Sequence, residues 1–405
     1  MTNMIGNQGK NSESIQQQNR LLVLRLIRKY KVTSRVMLSR YTGLKQATIT
    51  NIVNELINLD YVKETGLIEG DNGRRVKGIM LNDEKMRILT ARFTSDYYAV
   101  GVFDLYGKCI RVEKKFWEKG SKFQKKLEIL KAEFLLCKAQ ESQDKQILGA
   151  GIVLQGMVTD IEPEFQVTIT EDLETYLSRY FTDALELQVY VDNMSNMSAY
   201  YEWNKQVSEE KEIRTLVCLM VGYSVDCALI FDGKVVQGRN GRSGHFGHVS
   251  IDMNGPQCEC GNRGCIKNYI SVDAVKKRLV DLKCDFQNTT LNENSNIREV
   301  IQAYYDGDEL AKTLYEELAE KLGVVVANLM NQFNPETIML GDEIPNNDSF
   351  EKMVKEKVKQ RMPKNRFDRA EIKVFKETRK TENDVGMKGM SLFVINERLK
   401  SMKLE

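Results

Sequence analysis

Apolar side chains at Ile15, Leu22, Leu26 and Ile27, with Leu21, Val23 and Leu24 between them, recur at helical spacing. They predict a long first helix ending near Tyr30, with basic residues on its last turns. Thr33-Ser34 then stands where a short helix through Tyr41 would be N-capped, Thr42-Gly43 makes a tight turn, and a third helix follows over about 45–59. Two short helices joined by a glycine-containing turn are the helix-turn-helix pattern. On the third helix Ile49, Ile52, Val53 and Leu56 make one apolar stripe, leaving Lys45, Gln46, Thr48, Thr50, Asn51 and Asn54 on the polar face. After Tyr61 the period changes. Val62 to Leu81 carries β-branched and apolar residues on both sides of Gly70-Asp71-Asn72-Gly73, a hairpin signal that adds a wing to the helices.

From about Met86 strands alternate with helices. Strands are expected over about 87–93, 99–104 and 109–116, then a helix over 122–140 and an apolar strand over 147–154. A second strand pair follows over 215–220 and 227–236, the latter with the turn Asp232-Gly233-Lys234 inside it. Helices over 271–282 and 310–333 precede a strand over 337–340. Antiparallel strand runs mixed with crossover helices define an α/β body of two lobes. Only five prolines are present, so no rigid linker divides that body.

Composition sharpens this picture in two places. The chain has 405 residues with 42% hydrophobic content, enough for two to three domains with filled cores. No apolar run approaches the roughly 18 residues of a membrane span, and Met1 to Lys10 is polar with no apolar leader core, so the expected location is cytoplasmic. The net charge of +2 conceals an asymmetry: residues 1–80 hold thirteen Lys/Arg against six Asp/Glu, while the remainder is mildly acidic. A basic head on an acidic body suits a polyanion-binding module attached to a sensing or catalytic domain. Within that head Arg35, Lys45, Gln46, Thr48, Thr50 and Asn51 are candidates for double-stranded DNA. Arg74 and Arg75 would reach the minor groove from the wing.

The eight cysteines are too sparse for a disulfide scaffold, and three of them, Cys258, Cys260 and Cys265, crowd together. The chain's two histidines, His245 and His248, lie just ahead of that cluster. One imidazole and three thiolates, with glycines to let the backbone wrap an ion, suit a closed tetrahedral zinc site of structural type.

With these motifs in place the chain resembles the ROK family of repressors and sugar kinases, in its branch of xylose and N-acetylglucosamine repressors. The likeness rests on Gln18-Asn19, the winged head, Gly-x-x-Gly-His at 244–248, Cys-x-Cys-Gly-x-x-Gly-Cys at 258–265, and Asn334-Pro335-Glu336 before a strand ending in Gly341. It implies a winged helix-turn-helix over 1–82 and a two-lobed actin-like (ribonuclease-H-like) domain over 83–405. Lobe 1 would span about 83–195 plus the C-terminal helix; lobe 2 would span about 196–384 with the zinc segment at 244–267. The resemblance also implies zinc ligands His248, Cys258, Cys260 and Cys265, and an operator-binding homodimer or dimer of dimers.

The same resemblance exposes departures. The family's catalytic base maps to Met194, whose thioether cannot take a proton from a sugar hydroxyl. The first phosphate loop falls at Arg92-Phe93-Thr94-Ser95-Asp96 without a glycine, the second reads Gly222-Tyr223-Ser224-Val225-Asp226, and the usual Gly-Gly is Gly341-Asp342. Sugar-binding positions map to Asn193, Met194, His245, His248 and Lys267, so an effector held by Asn193, His245, His248 and Lys267 would be a phosphorylated or acidic sugar. The expectation is a kinase-inactive repressor of carbohydrate-related genes, not an enzyme. The alternatives are an active sugar kinase with an added DNA-binding head, or a regulator controlled by docking of a protein partner.

Overall fold

The computed structural model describes residues 12–69, 74–154, 172–209, 211–238, 243–376 and 384–401. The expected turn at 70–73 lies outside them. The head begins with α1 (Ser12–Tyr30), the two-residue strand β1 (Val32–Thr33), α2 (Arg35–Thr42) and α3 (Gln46–Asn58). Ser34 caps α2 by accepting the Met37 amide, and Gly43 ends it with φ of 69°, a left-handed conformation that costs glycine nothing. Strands β2 (Val62–Glu69) and β3 (Arg75–Leu81) pair antiparallel, and β1 joins β3 on its other side. The expected stripe of Ile49, Ile52, Val53 and Leu56 is buried, together with Leu24, Ile27, Leu38, Ile79 and Leu81.

Two compact units account for the chain. The first runs to Val153, resumes among the described residues at Asp172 as far as Val191, and resumes again at Met390; the second runs from Asp192 to Gly389. The head therefore belongs with the first α/β sheet: Arg28 Nε donates to the Leu105 carbonyl at 3.1 Å, and Gln17 Nε2 to the Lys400 carbonyl at 2.9 Å.

The first sheet contains β4 (Met86–Phe93), β5 (Tyr97–Phe103), β6 (Cys109–Phe116), β7 (Gln146–Leu154) and β8 (Val189–Asn193), ordered β6-β5-β4-β7-β8. Helices α4 (Phe123–Glu141) and α5 (Leu173–Leu185) belong to this unit and meet through Phe134 and Phe181, edge to face at 5.8 Å. Helix α6 (Met194–Ser208) opens the second unit, capped by Asn193, whose side chain accepts the Asn196 amide.

In the second unit β9 (Thr215–Val221), β10 (Val225–Phe231), β11 (Lys234–Val235), β12 (Thr337–Asp342) and β13 (Glu371–Val374) are ordered β11-β10-β9-β12-β13. The turn expected at Asp232-Gly233-Lys234 divides the 227–236 stretch into β10 and β11, because Asp232 and Gly233 both take positive φ and turn the chain back on itself. Helices α7 (Lys267–Ile270), α8 (Val272–Leu282), α9 (Ile297–Asp306), α10 (Glu309–Phe333) and α11 (Asp348–Lys359) pack on this sheet through a core that includes Val217, Leu219, Leu318, Leu322, Val326 and Phe350. A four-residue helix α12 (Lys364–Phe367) follows, and α13 (Val385–Ser401) carries the chain from the second unit back into the first. Read by position within each sheet, both follow the order third, second, first, fourth, fifth.

Candidate metal centre and nucleic-acid interface

The segment after β11 returns to β10 through two glycines. A Cβ on Gly244 would strike the Cys227 carbonyl and one on Gly247 would crowd the Val225 carbonyl, so this approach to the strand needs glycine at both positions. Phe246 to His248 form a single 3-10 turn. The next loop is closed by its own backbone: the Cys258 amide donates to Asn262, the Gly261 amide to Cys258, and the Ile251 amide to Gly264. Gly261 and Gly264 take φ of 91° and 64°, and a Cβ on Gly264 would collide with Asp252.

This folding brings His248, Cys258, Cys260 and Cys265 together, with their ligand atoms all within 4.8 Å of one another. Cys258 Sγ lies 3.6 Å from His248 Nδ1, and Cys260 Sγ lies 3.7 Å from Cys265 Sγ. Those separations are too long for a disulfide and match the edge of a tetrahedron, about 3.8 Å for metal–sulfur bonds of about 2.3 Å. Cys258 and Cys265 are buried and all eight cysteines are free thiols. The donor set fits a metal ion, and its chemistry is that of a soft, four-coordinate site.

The other candidate residues of this unit are engaged separately. Lys267 Nζ lies 2.5 Å from Glu259 Oε1, and this ammonium holds the Glu259 carboxyl below its ordinary range. His245 Nδ1 stands 3.8 Å from Asp226 Oδ1 on a half-exposed side chain. Asn193 is occupied as the cap of α6, and Met194 beside it is buried.

Both turns that align with phosphate loops are filled from within. Between β4 and β5, Thr94 Oγ1 accepts the amides of Asp96 and Tyr97 and donates to the Tyr97 carbonyl, while Trp117 Nε1 donates to the Thr94 carbonyl. Between β9 and β10, the Gly222 amide donates to the Ser224 carbonyl and Ser224 Oγ to Asp226 Oδ2 at 2.6 Å. The Asp342 carboxylate lies where a Gly222 Cβ would stand.

In the head, Lys45, Gln46 and Asn51 are exposed, Thr48 and Thr50 half-buried, and Arg74 and Arg75 exposed at the start of β3. Arg35 is not directed to solvent: Nη1 donates to Glu64 Oε1 and Nη2 to Asn54 Oδ1, both at 2.9 Å. Glu64 and Glu259 are the residues that sequence reasoning missed, since nothing in a single strand of sequence pairs an acid with a base on a distant element.

The chain belongs to the ROK family, whose model matches residues 94–397. It is 30% identical to the xylose repressor of Caldicellulosiruptor bescii over 82% of this chain and 85% of that protein. It is 25% identical to the DNA-binding transcriptional dual regulator NagC of Escherichia coli, over 82% of each. Among solved structures it is similar to a ROK family transcriptional regulator described as a homolog of the E. coli MLC protein, with TM-score 0.77, 25% identity and 95% and 98% of the two chains covered. A ROK hexokinase from Thermus thermophilus shares the fold, with TM-score 0.56 and 19% identity over 76% of this chain and 97% of that one. The α/β units thus carry the actin-like sugar-kinase fold. No helix among the described residues is long and apolar enough to cross a membrane.

Proposed function

We propose that the protein is a DNA-binding repressor of carbohydrate-related genes, with residues 1–82 as a winged helix-turn-helix head and the remainder as an effector and dimerisation body without kinase activity. The observation that carries this reading is α3: its apolar stripe is fully committed to the head's core, leaving Lys45, Gln46 and Asn51 as an exposed polar face on a basic module. Gln46, Thr48 and Asn51 choose bases, Lys45 and Thr50 meet the backbone, and Arg74 and Arg75 contribute affinity with little sequence choice. The relatives named as repressors support the same class.

His248, Cys258, Cys260 and Cys265 hold a structural zinc, which supplies folding energy to the loop and leaves no open position for chemistry. Kinase inactivity is supported by Met194 and by the two turns whose donors are already used. For the effector, Lys267 favours an anionic sugar, but its ammonium is paired with Glu259, so such a ligand must displace that carboxylate.

The test is selection of duplexes from a random pool, followed by gel shift of the winners with and without neutral and phosphorylated sugars, beside a coupled ADP assay on common hexoses and aminosugars. A two-fold-symmetric consensus is expected, with its half-sites spaced for paired heads. Failure to enrich any sequence, or sugar phosphorylation above background, would defeat the reading.

A further inference from the structure

The wing of the head is not a straight ribbon. Between Glu64 and Leu67 the β2–β3 register shifts, so Thr65 and Gly66 form a bulge opposite Gly78. Any Cβ on Gly78 would strike Thr65 Oγ1 and crowd Ile68 and Val32, so the bulge is packed down on β3 and sets where the outer wing points. Glu64 is the last residue before this bend. Its two carboxylate oxygens take different partners: Oε1 accepts from Arg35 Nη1 at 2.9 Å and Oε2 from Lys77 Nζ at 2.7 Å, across the bulge on β3. Arg35 continues the chain of contacts to Asn54 on α3. The four side chains therefore join α2, α3 and both wing strands.

We propose that Glu64 is a positioning residue for DNA choice: through Arg35 and Asn54 it fixes the wing's angle to α3, and it keeps Arg35 and Lys77 from binding phosphates indiscriminately. This rests on the DNA-binding reading of the head. A guanidinium suits the task because its rigid fork can hold two acceptors on two elements at once, which an ammonium cannot. Arg35 is mostly covered, its side chain 24% exposed against 66% for Lys77, and so it acts as the strut of the network. The Lys77 and Arg35 hydrogen bonds also hold the Glu64 carboxyl below its ordinary range, so the network stays charged throughout the neutral region. An acid on a polyanion-binding face costs affinity; fixing the spacing between two groove-reading elements returns it as discrimination, because base contacts specify only when both elements are in register.

The experiment compares the full-length wild type with Glu64→Gln and Arg35→Lys. Each is titrated with a duplex selected by the wild type from a random pool and with a scrambled duplex of the same composition, over a range of salt. Removing a charge without any positioning effect would raise affinity for both duplexes alike and leave their ratio unchanged. The expected result for Glu64→Gln is tighter binding to the scrambled duplex, a salt slope steeper by about one to two units as Arg35 and Lys77 are released, and a selected-to-scrambled ratio lower by about tenfold. Arg35→Lys, which keeps the charge and loses the fork, should lower the ratio by a similar factor, about tenfold, through weaker binding to the selected duplex alone. A ratio within about twofold of wild type in either variant overturns the proposal. Wild-type protein that binds both duplexes equally would instead defeat the DNA-binding reading itself, and this inference with it.

Discussion

The segment that gathers His248, Cys258, Cys260 and Cys265 and the two strand-end turns at Thr94 and Gly222 use their polar atoms in different ways. In the segment from His248 to Ile266 the backbone closes on itself, and the side chains of His248, Cys258, Cys260 and Cys265 converge on one point. At Thr94 a side chain satisfies the backbone by accepting two amides, and at Gly222 the backbone amide donates to the Ser224 carbonyl while the Ser224 and Asp226 side chains bind each other. Four soft donors within 4.8 Å of one another offer a metal ion a full tetrahedral set, whereas the polar atoms of the two turns are spent on one another.

The sharpest way to break this contrast is to test the proposed metal by removing it. Free zinc-binding peptides draw about 10–16 kcal/mol of apparent binding energy from the ion, and Cys265 is the fully buried member of the cluster. Cys265→Ser, or stripping with a strong chelator, should abolish stoichiometric metal and unfold the second unit at a markedly lower temperature, measured by metal analysis and calorimetry in parallel. The head, in the other unit, should keep its far-ultraviolet helix signal. A melting curve indifferent to chelator in protein shown to have lost its metal would mean that the loop closes without the ion.

A smaller effect is expected at the first turn. Thr94→Val preserves shape and burial but removes the acceptor for the Asp96 and Tyr97 amides, each of which costs about 1–3 kcal/mol if left unpaired in a dry site. Because the turn is partly wet, a net loss of about 2 kcal/mol in urea unfolding is the expected outcome. An unchanged midpoint would show that the Thr94 bonds are dispensable, and the turn would then be free to present its amides to an anion.

How far the sequence carried this picture depends on where the signal was stored. The α3 stripe is a periodic pattern and is buried as expected, and the His248, Cys258, Cys260 and Cys265 cluster is a local pattern whose side chains the fold brings together. Helix α6 gave no stripe because its buried side chains include Ser195, Asn196, Ser198, Glu202 and Gln206, so polar residues fill positions that a period search requires to be apolar. The apolar run in α13 is buried on several sides, which erases the same signal in the other direction. Strand β13, four residues long, is too short to show a period. Pairings such as Lys267 with Glu259 and Arg35 with Glu64 join separate elements and become visible only in three dimensions.

The buried polar face of α6 offers the smallest and most discriminating test, because Glu202 lies between the two extremes. Its Oε1 accepts from Gln206 Nε2 at 2.8 Å, and Gln206 Oε1 in turn accepts from Thr337 Oγ1, so the carboxylate is partly paired. It is nevertheless 4% exposed, and burial pushes its pKa up, with the Gln206 hydrogen bond and the Lys205 charge opposing. A carboxyl whose folded pKa exceeds its unfolded one favours the neutral form in the folded state. Its contribution is therefore fully present below the ordinary value of 4.5 and is lost as the pH rises through the folded value. Glu202→Gln keeps an acceptor for Gln206 without the charge. The variant should be more stable than wild type at pH 7, by about 1 kcal/mol, and the two should converge as the pH is lowered toward the ordinary carboxyl range. Urea unfolding across that range measures the difference. A variant less stable at neutral pH would mean that the ionised carboxylate is a net stabilising acceptor for Gln206 and Lys205, and that this face of α6 is resolved internally in the same way as the turn at Thr94.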